Sequence, residues 1–157
     1  MIKYETVDVQ DKETFKYKLL SKRIFVLGRN VGKWEMYDPQ GNMVAKSYGS
    51  TLVAFPNYMW DGSTVIGDLF EDEVTLEASL VHDILYNAKK NPDDIPVPFC
   101  LGVADKILCE VMQTLYKMKK ASFYKKYIFP KLYLTGLLTV GIPWKFGNNK
   151  YYTIKLA

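Results

Sequence analysis

The chain has 157 residues, 48% of them hydrophobic and 24% charged, which is typical of a globular domain that buries its own core. The net charge is +4, and two cysteines, Cys100 and Cys109, are too few for a disulfide framework or a four-cysteine metal site. The single histidine, His82, excludes the metal-dependent phosphohydrolases, which need several histidine ligands.

The chain also lacks the usual signals for secretion or membrane insertion. Its first residues, MIKYETVDVQDKE, carry charges where a signal peptide needs an apolar stretch. The charge-free run of residues 132–144 is too short to cross a bilayer. We therefore expect no signal peptide, no transmembrane segment, and free cysteines in a reducing compartment.

Segments rich in β-branched and aromatic residues predict strands in the first third of the chain. They are residues 17–27, 33–37 and 43–48, with turn-forming residues 38–42 between the last two. This pattern indicates a small antiparallel sheet or hairpins within residues 1–60. A loop follows, which begins around FPNYMWDGST and extends over residues 61–72.

From Glu73 onward the hydrophobic pattern has a helical period. It predicts a first helix that ends near Lys90, a second over residues 101–118, and a third from about Ala121 that carries Pro130 and ends by Pro143. The expected fold class is therefore α+β: an N-terminal antiparallel sheet or hairpins followed by three helices, the first two forming an antiparallel pair. We expect a single domain over residues 1–157, with helices within 73–144 and a tail at 145–157.

Charge is segregated along the sequence. Residues 51–110 hold three Lys/Arg against eleven Asp/Glu, and residues 111–157 hold nine against none. The two segments could pack together and partly neutralise each other, or they could form separate surfaces. In the second case the acidic surface would attract a cation, and the basic C-terminal third would attract an anionic membrane, an acidic protein or nucleic acid. Nucleic acid fits least, because no known binding motif accompanies the charge.

His82 is the centre of the candidate site, because histidine is the side chain best suited to acid–base chemistry near neutral pH. In a helix, His82 and Tyr86 share a face, and Asp83 points about 100° away. If the second helix returns antiparallel, Asp105 near its start can reach and orient the imidazole. Asp83 could then bind a hard cation such as calcium.

The strings ASLVHDILY and VADKILCEVM resemble the paired helices of phospholipase A2 enzymes, particularly the disulfide-free viral capsid type. The resemblance implies that His82 activates water, Asp83 binds calcium, Asp105 supports the histidine, and Tyr86 bonds that aspartate. It places Asp61 in the stretch that corresponds to the calcium loop.

The layout also resembles a family of small, mostly phage-encoded proteins of unknown function. These have short strands, a loop of the form GF-x-x-D-x-x-S, an HD-x-LY helix and an AD helix, and the string NYMWDGST stands at the loop here. The similarity covers roughly residues 55–144. It implies a phage or virion protein, located in the host cytoplasm or the virion, whose partners are other phage or virion proteins.

Three functions from different classes stay open. An ester hydrolase would use His82 as the base, and its basic third helix would touch an anionic membrane. A non-enzymatic virion or assembly component would use the same residues as a buried hydrogen-bond network between two helices. A host-factor-binding protein would depend on the segregated charge alone.

Overall fold

A computed structural model of the protein describes residues 2–7, 15–62, 72–140 and 151–157, with the backbone alone for residues 136–140. Eight strands, three α-helices and one π-helical turn form within these ranges. The strands are β1 (Tyr4–Thr6), β2 (Tyr17–Leu19), β3 (Arg23–Val26), β4 (Lys33–Tyr37), β5 (Met43–Tyr48), β6 (Thr51–Ala54), β7 (Met59–Trp60) and β8 (Thr153–Leu156). The helices are α1 (Glu73–Lys89), α2 (Leu101–Met118) and α3 (Phe129–Val140), with the π-helical turn at Tyr124–Ile128.

The strands form two antiparallel sheets. One has three strands in the order β1-β2-β7, and the other has five in the order β3-β6-β5-β4-β8. The α+β fold class predicted from the sequence is confirmed. The β4–β5 hairpin forms at the predicted turn, where Asp38 Oδ1 accepts hydrogen bonds from the backbone N–H groups of Gln40 and Asn42. Gly41 has a φ of 85° there, a conformation that favours glycine.

The structure has more strands than the sequence pattern predicts. The strand predicted over residues 17–27 is two strands, β2 and β3, which belong to different sheets. β7 lies within the predicted loop and β8 within the predicted tail, while β1 and β6 fall where no strand was expected. All four are short, and β1, β7 and β8 are fixed by pairing with a neighbouring strand rather than by a pattern of their own.

One face of the five-stranded sheet packs against α1. Trp34 and Met36 of β4 and Leu52 and Ala54 of β6 are fully buried, and they share a core cluster with the apolar side chains of α1. Successive residues of a strand point to opposite faces, so the alternate positions face outward. On that outer face Val26 of β3 is 83% exposed.

α1 begins at the predicted residue because Asp72 caps it. The Asp72 side chain accepts a hydrogen bond from Thr75 N, and the Thr75 hydroxyl accepts one from Asp72 N. These two bonds satisfy backbone and side-chain groups that would otherwise lack partners at the start of the helix. The helix ends at Lys89, just before the Asn91-Pro92 sequence that cannot continue it.

α2 covers the predicted residues and packs against α1 in the antiparallel direction. Tyr86, late in α1, bonds Asp105, early in α2. At the other end, Asp72 bonds Tyr116, late in α2. The antiparallel pair expected from the sequence is therefore confirmed. Asp105 stands in the second turn of α2, just beyond the first turn formed by residues 101–104.

The third helical segment begins near its predicted start, but its first turn is π-helical. Phe129 N donates to Tyr124 O, five residues back, and Pro130 follows at once. Proline has no N–H, so it cannot donate the α-helical bond to Lys126 O. The predicted end at Pro143 lies outside the described residues. No helix in the described part of the chain combines the length and apolarity needed to cross a bilayer.

Two lysines of the basic C-terminal third lie against the acidic start of α1. Lys119 Nζ is 2.7 Å from Glu73 Oε2, and Lys125 Nζ is 3.6 Å from Asp72 Oδ2. These contacts agree with the expectation that the oppositely charged segments partly neutralise each other. Both pairs are exposed to solvent, so each stabilises the fold by little.

Candidate functional site

His82 occupies the middle of α1, on the face that meets α2. Tyr86 follows one turn later on the same face, and the two ring centroids are 4.2 Å apart. This spacing is the i, i+4 relation that a helix imposes on its surface. The side chain of His82 is 14% exposed, so the imidazole is mostly enclosed but still reaches solvent.

Asp105 of α2 joins the two aromatic side chains. Its Oδ1 lies 2.8 Å from His82 Nε2 and accepts a hydrogen bond of 2.8 Å from the Tyr86 hydroxyl. A carboxylate only accepts hydrogen bonds, so it selects the tautomer of the neutral ring that carries its proton on Nε2. Nδ1 then holds the lone pair of the ring. The Asp105 side chain is only 2% exposed, which keeps this contact away from water.

Tyr86 acts as a donor throughout the normal pH range. Burial, the hydrogen bond to Asp105 and the negative charge of Asp105 all raise the pKa of its phenol far above the usual value. The hydroxyl therefore stays protonated and holds Asp105 in place. Two donors, from His82 and Tyr86, converge on one carboxylate oxygen.

Asp83 belongs to a second cluster on the adjoining face of α1. Its Oδ2 accepts hydrogen bonds from the Tyr58 hydroxyl at 2.9 Å and from Asn87 Nδ2 at 3.2 Å. Asn87 Nδ2 also lies 2.8 Å from the Tyr58 hydroxyl, which accepts from it. Tyr58 is positioned from its other side by Tyr152, since the two rings stack with centroids 4.8 Å apart.

The carboxyl groups of Asp83 and Asp61 affect each other. Burial raises the pKa of Asp83 well above its usual range, and the negative charge of Asp61 raises it further. Burial also raises the pKa of Asp61, while the nearby Lys16 ammonium opposes that effect. A region with two such carboxyl groups favours a proton or a cation between them.

The structure thus divides the predicted site residues into two neighbouring clusters. His82, Tyr86 and Asp105 form one, and Asp83 lies in the other within electrostatic reach of Asp61. Among the described residues, no group of three or more His, Cys, Asp or Glu side chains could hold a metal ion. A cation at Asp83 and Asp61 would therefore need neutral oxygen ligands as well.

Three contributors to the second cluster are not among the sequence-predicted site residues. Asn87 stands four positions after Asp83, and this i, i+4 spacing is a signal that could have identified it. Tyr58 and Tyr152 gave no such signal, because they lie 25 and 69 positions from Asp83 and reach it only through the sheets. Tyr152 is placed by a hydrogen bond of 2.9 Å from its hydroxyl to Met59 O.

Comparison with protein-family models, with curated proteins and with solved structures finds no match to this chain.

Proposed function

We propose that the protein is an ester hydrolase in which His82 is the general base. The observation that carries the proposal is the convergence of His82 Nε2 and the Tyr86 hydroxyl on Asp105 Oδ1. This arrangement fixes the tautomer and direction of an imidazole that is mostly enclosed yet partly open to solvent. A fixed base with a carboxylate behind it is the arrangement that water activation requires.

In the proposed reaction, His82 Nδ1 takes a proton from a water molecule, whose oxygen attacks the ester carbonyl carbon. Asp105 stabilises the imidazolium that results, and Tyr86 keeps Asp105 in position. The tetrahedral intermediate then collapses, the bond to the alcohol oxygen breaks, and the imidazolium returns its proton to that oxygen. The products are a carboxylic acid and an alcohol, so atoms and charge balance.

Asp83 and Asp61 are the residues we propose for calcium. Two carboxyl groups whose charges repel each other suit a hard cation, which prefers oxygen ligands. Bound there, calcium would supply positive charge to stabilise the oxyanion. The steps assigned to His82, Asp105 and Tyr86 need only those side chains.

A phage origin is part of the same proposal, since the HD-x-LY and AD helices resemble those of the phage-encoded family. The protein would then act in the host cytoplasm or the virion and contact other phage or virion proteins. Mass spectrometry of purified particles decides between these two locations.

Replacement of the base tests the hydrolase proposal. We expect His82→Gln to lower turnover of p-nitrophenyl esters and of phospholipid vesicles by about 100-fold or more, because general-base catalysis contributes that much. The circular dichroism spectrum should be retained. Tyr86→Phe should act as a positioning change, lowering kcat less than His82→Gln does and leaving KM close to that of the unaltered protein.

A non-enzymatic structural role is the second candidate, and the near-complete burial of Asp105 favours it. In that case no ester is hydrolysed, and His82→Gln only breaks a hydrogen bond between two helices. The expected cost is about 1–3 kcal/mol of unfolding free energy, measured by urea denaturation. Esterase activity that survives unchanged in His82→Gln would contradict the hydrolase proposal.

A further inference from the structure

Large apolar side chains are exposed where α2 ends and the third helical segment begins. Met118 is 74% exposed and Phe123 is 68% exposed, whereas most side chains of this kind are buried in the protein. We call this surface the tip patch, and it consists of Met118, Phe123, Tyr124, Tyr127, Ile128 and Leu132. Apolar side chains clustered in this way on a surface usually mark an interaction site.

The tip patch follows from the orientation of the third helical segment. Phe129 and Tyr133 face α2 and are buried in a second core cluster with Tyr116. Phe123, Tyr127 and Leu132 of the same segment lie outside this cluster and are exposed. Phe123 and Tyr127 lie side by side, with ring centroids 4.9 Å apart, so they form a continuous aromatic surface.

Lysines surround the tip patch, and no acidic residue occurs from position 111 to position 157. The surrounding lysines are Lys117, Lys119, Lys120, Lys125, Lys126 and Lys131. Lys119 and Lys125 pair with the start of α1. Lys117 Nζ lies 5.2 Å from the centroid of the Tyr127 ring. Lys120, Lys126 and Lys131 make no ion pair with any described residue, so their positive charges are available to a binding partner.

We propose that the tip patch docks on the surface of a bilayer that contains anionic lipids. Aromatic and aliphatic side chains enter the headgroup region, and lysines around them bind lipid phosphates. A second copy of the chain is a poor occupant, because a symmetric contact would bring the same lysines together. An acidic partner would match the same charge, and binding to the polyanion heparin without binding to vesicles would favour such a partner instead.

Docking at the tip patch is separate from the hydrolysis proposed above. Lys119, which follows Met118 of the patch, pairs with Glu73 at the start of α1, and His82 stands nine residues later, about 14 Å along the helix axis. The patch therefore anchors the protein to the membrane without covering the imidazole. Membrane docking at this patch requires no catalytic activity.

Vesicle flotation with the full chain tests this proposal, using phosphatidylcholine vesicles with and without an equimolar amount of phosphatidylglycerol. We expect binding only to the anionic vesicles, with a decrease as ionic strength rises. Lys120→Gln with Lys131→Gln should weaken binding by about 30-fold, because each lysine near such a surface contributes about 1 kcal/mol. Phe123→Trp should show a blue shift of its emission on binding.

Matched controls remove the same groups elsewhere on the molecule. Lys33→Gln with Lys89→Gln removes two exposed charges outside the tip patch. Phe123→Ser should weaken vesicle binding, and Val26→Ser, which removes an exposed apolar side chain elsewhere, is its control. The controls should bind as the unaltered protein does, and so should His82→Gln. Equal binding to neutral vesicles, equal losses in the control variants, or binding to heparin without binding to vesicles would each overturn the proposal.

Discussion

The Asp83 carboxyl group lies in surroundings that disfavour its charge. Because burial and Asp61 raise its pKa above that of the unfolded chain, the protonated form stabilises the fold. This contribution is complete below the unfolded pKa and is lost as pH rises through the folded pKa. Above the unfolded pKa, the raised pKa of Asp83 therefore lowers the stability of the fold, which is what we expect of a residue kept for binding rather than for folding.

Asp83→Asn tests this interpretation and the calcium proposal together. We expect the variant to be more resistant to urea than the unaltered protein at pH 7, with the difference shrinking as pH falls below the usual aspartate range. Millimolar calcium should raise the melting temperature of the unaltered protein but not of Asp83→Asn. Asp93→Asn, at an exposed position after α1, is the control and should change neither measurement. If Asp83→Asn unfolded at a lower urea concentration than the unaltered protein at pH 7, the conclusion that Asp83 lowers stability would be contradicted.

At the scale of elements, Asp72 links the start of α1 to α2. Burial raises the pKa of Asp72, but the hydrogen bonds from Tyr116 and Thr75 and the charge of Lys125 outweigh it, so the net shift is downward. A lowered pKa means that this stabilisation is present above the unfolded pKa and is lost as pH falls through the folded one. The cap therefore weakens below about pH 4.

We expect Asp72→Ala to cost about 1–2 kcal/mol of unfolding free energy at pH 7, because a helix loses its N-cap and Tyr116 loses its acceptor. Asp72→Asn keeps an acceptor oxygen and should cost clearly less. Urea denaturation of both variants at pH 7 and at pH 3 measures the difference. An equal loss at both pH values would show that the charge of Asp72 contributes nothing.

A helix or strand could be predicted from the sequence when the pattern that determines it lies within the segment itself or in the adjoining turn. The bounds of α1 and α2 follow from an apolar pattern that repeats within the helix itself, with Asn91 and Pro92 ending the first. The His82 contact with Asp105 was predictable for the same reason, since two helices with a short connection return antiparallel. β6 carried a local signal too, in the two residues Gly49 and Ser50 that join it to β5, with Gly49 at a φ of 75°.

At the scale of the whole molecule, the second cluster depends on a contact between distant parts of the chain. The Tyr152 hydroxyl accepts from Met59 N and donates to Met59 O, both at 2.9 Å, across 93 positions of sequence. Such a contact forms only when β7 and the segment ahead of β8 have reached their places. A hydrophobic repeat in the sequence cannot predict a contact of this kind, so Tyr58 and Tyr152 were absent from the predicted site.

Tyr152→Phe should therefore affect both stability and the Asp83 cluster. We expect a loss of about 1–3 kcal/mol in urea denaturation, because a backbone N–H of β7 is left without its acceptor. The stacked ring is retained in this variant, so any loss comes from the hydroxyl. Tyr151→Phe is the neighbouring control, and a larger effect there than in Tyr152→Phe would contradict the role given to the Met59 contact.

The π-helical turn at Tyr124–Ile128 means that a peptide of the third segment need not have the same shape as the segment has in the protein. The hydrogen bond from Phe129 N to Tyr124 O spans five residues instead of four, so the turn holds one extra residue. The residues after the turn are therefore rotated by about 100° about the helix axis, relative to their positions in a regular α-helix. A synthetic fragment that relaxed to a regular α-helix would therefore rotate Phe129 and Tyr133 by about 100° relative to Phe123 and Tyr127. Its apolar side chains would be arranged differently from those of the folded protein, and its binding would not represent that of the whole chain.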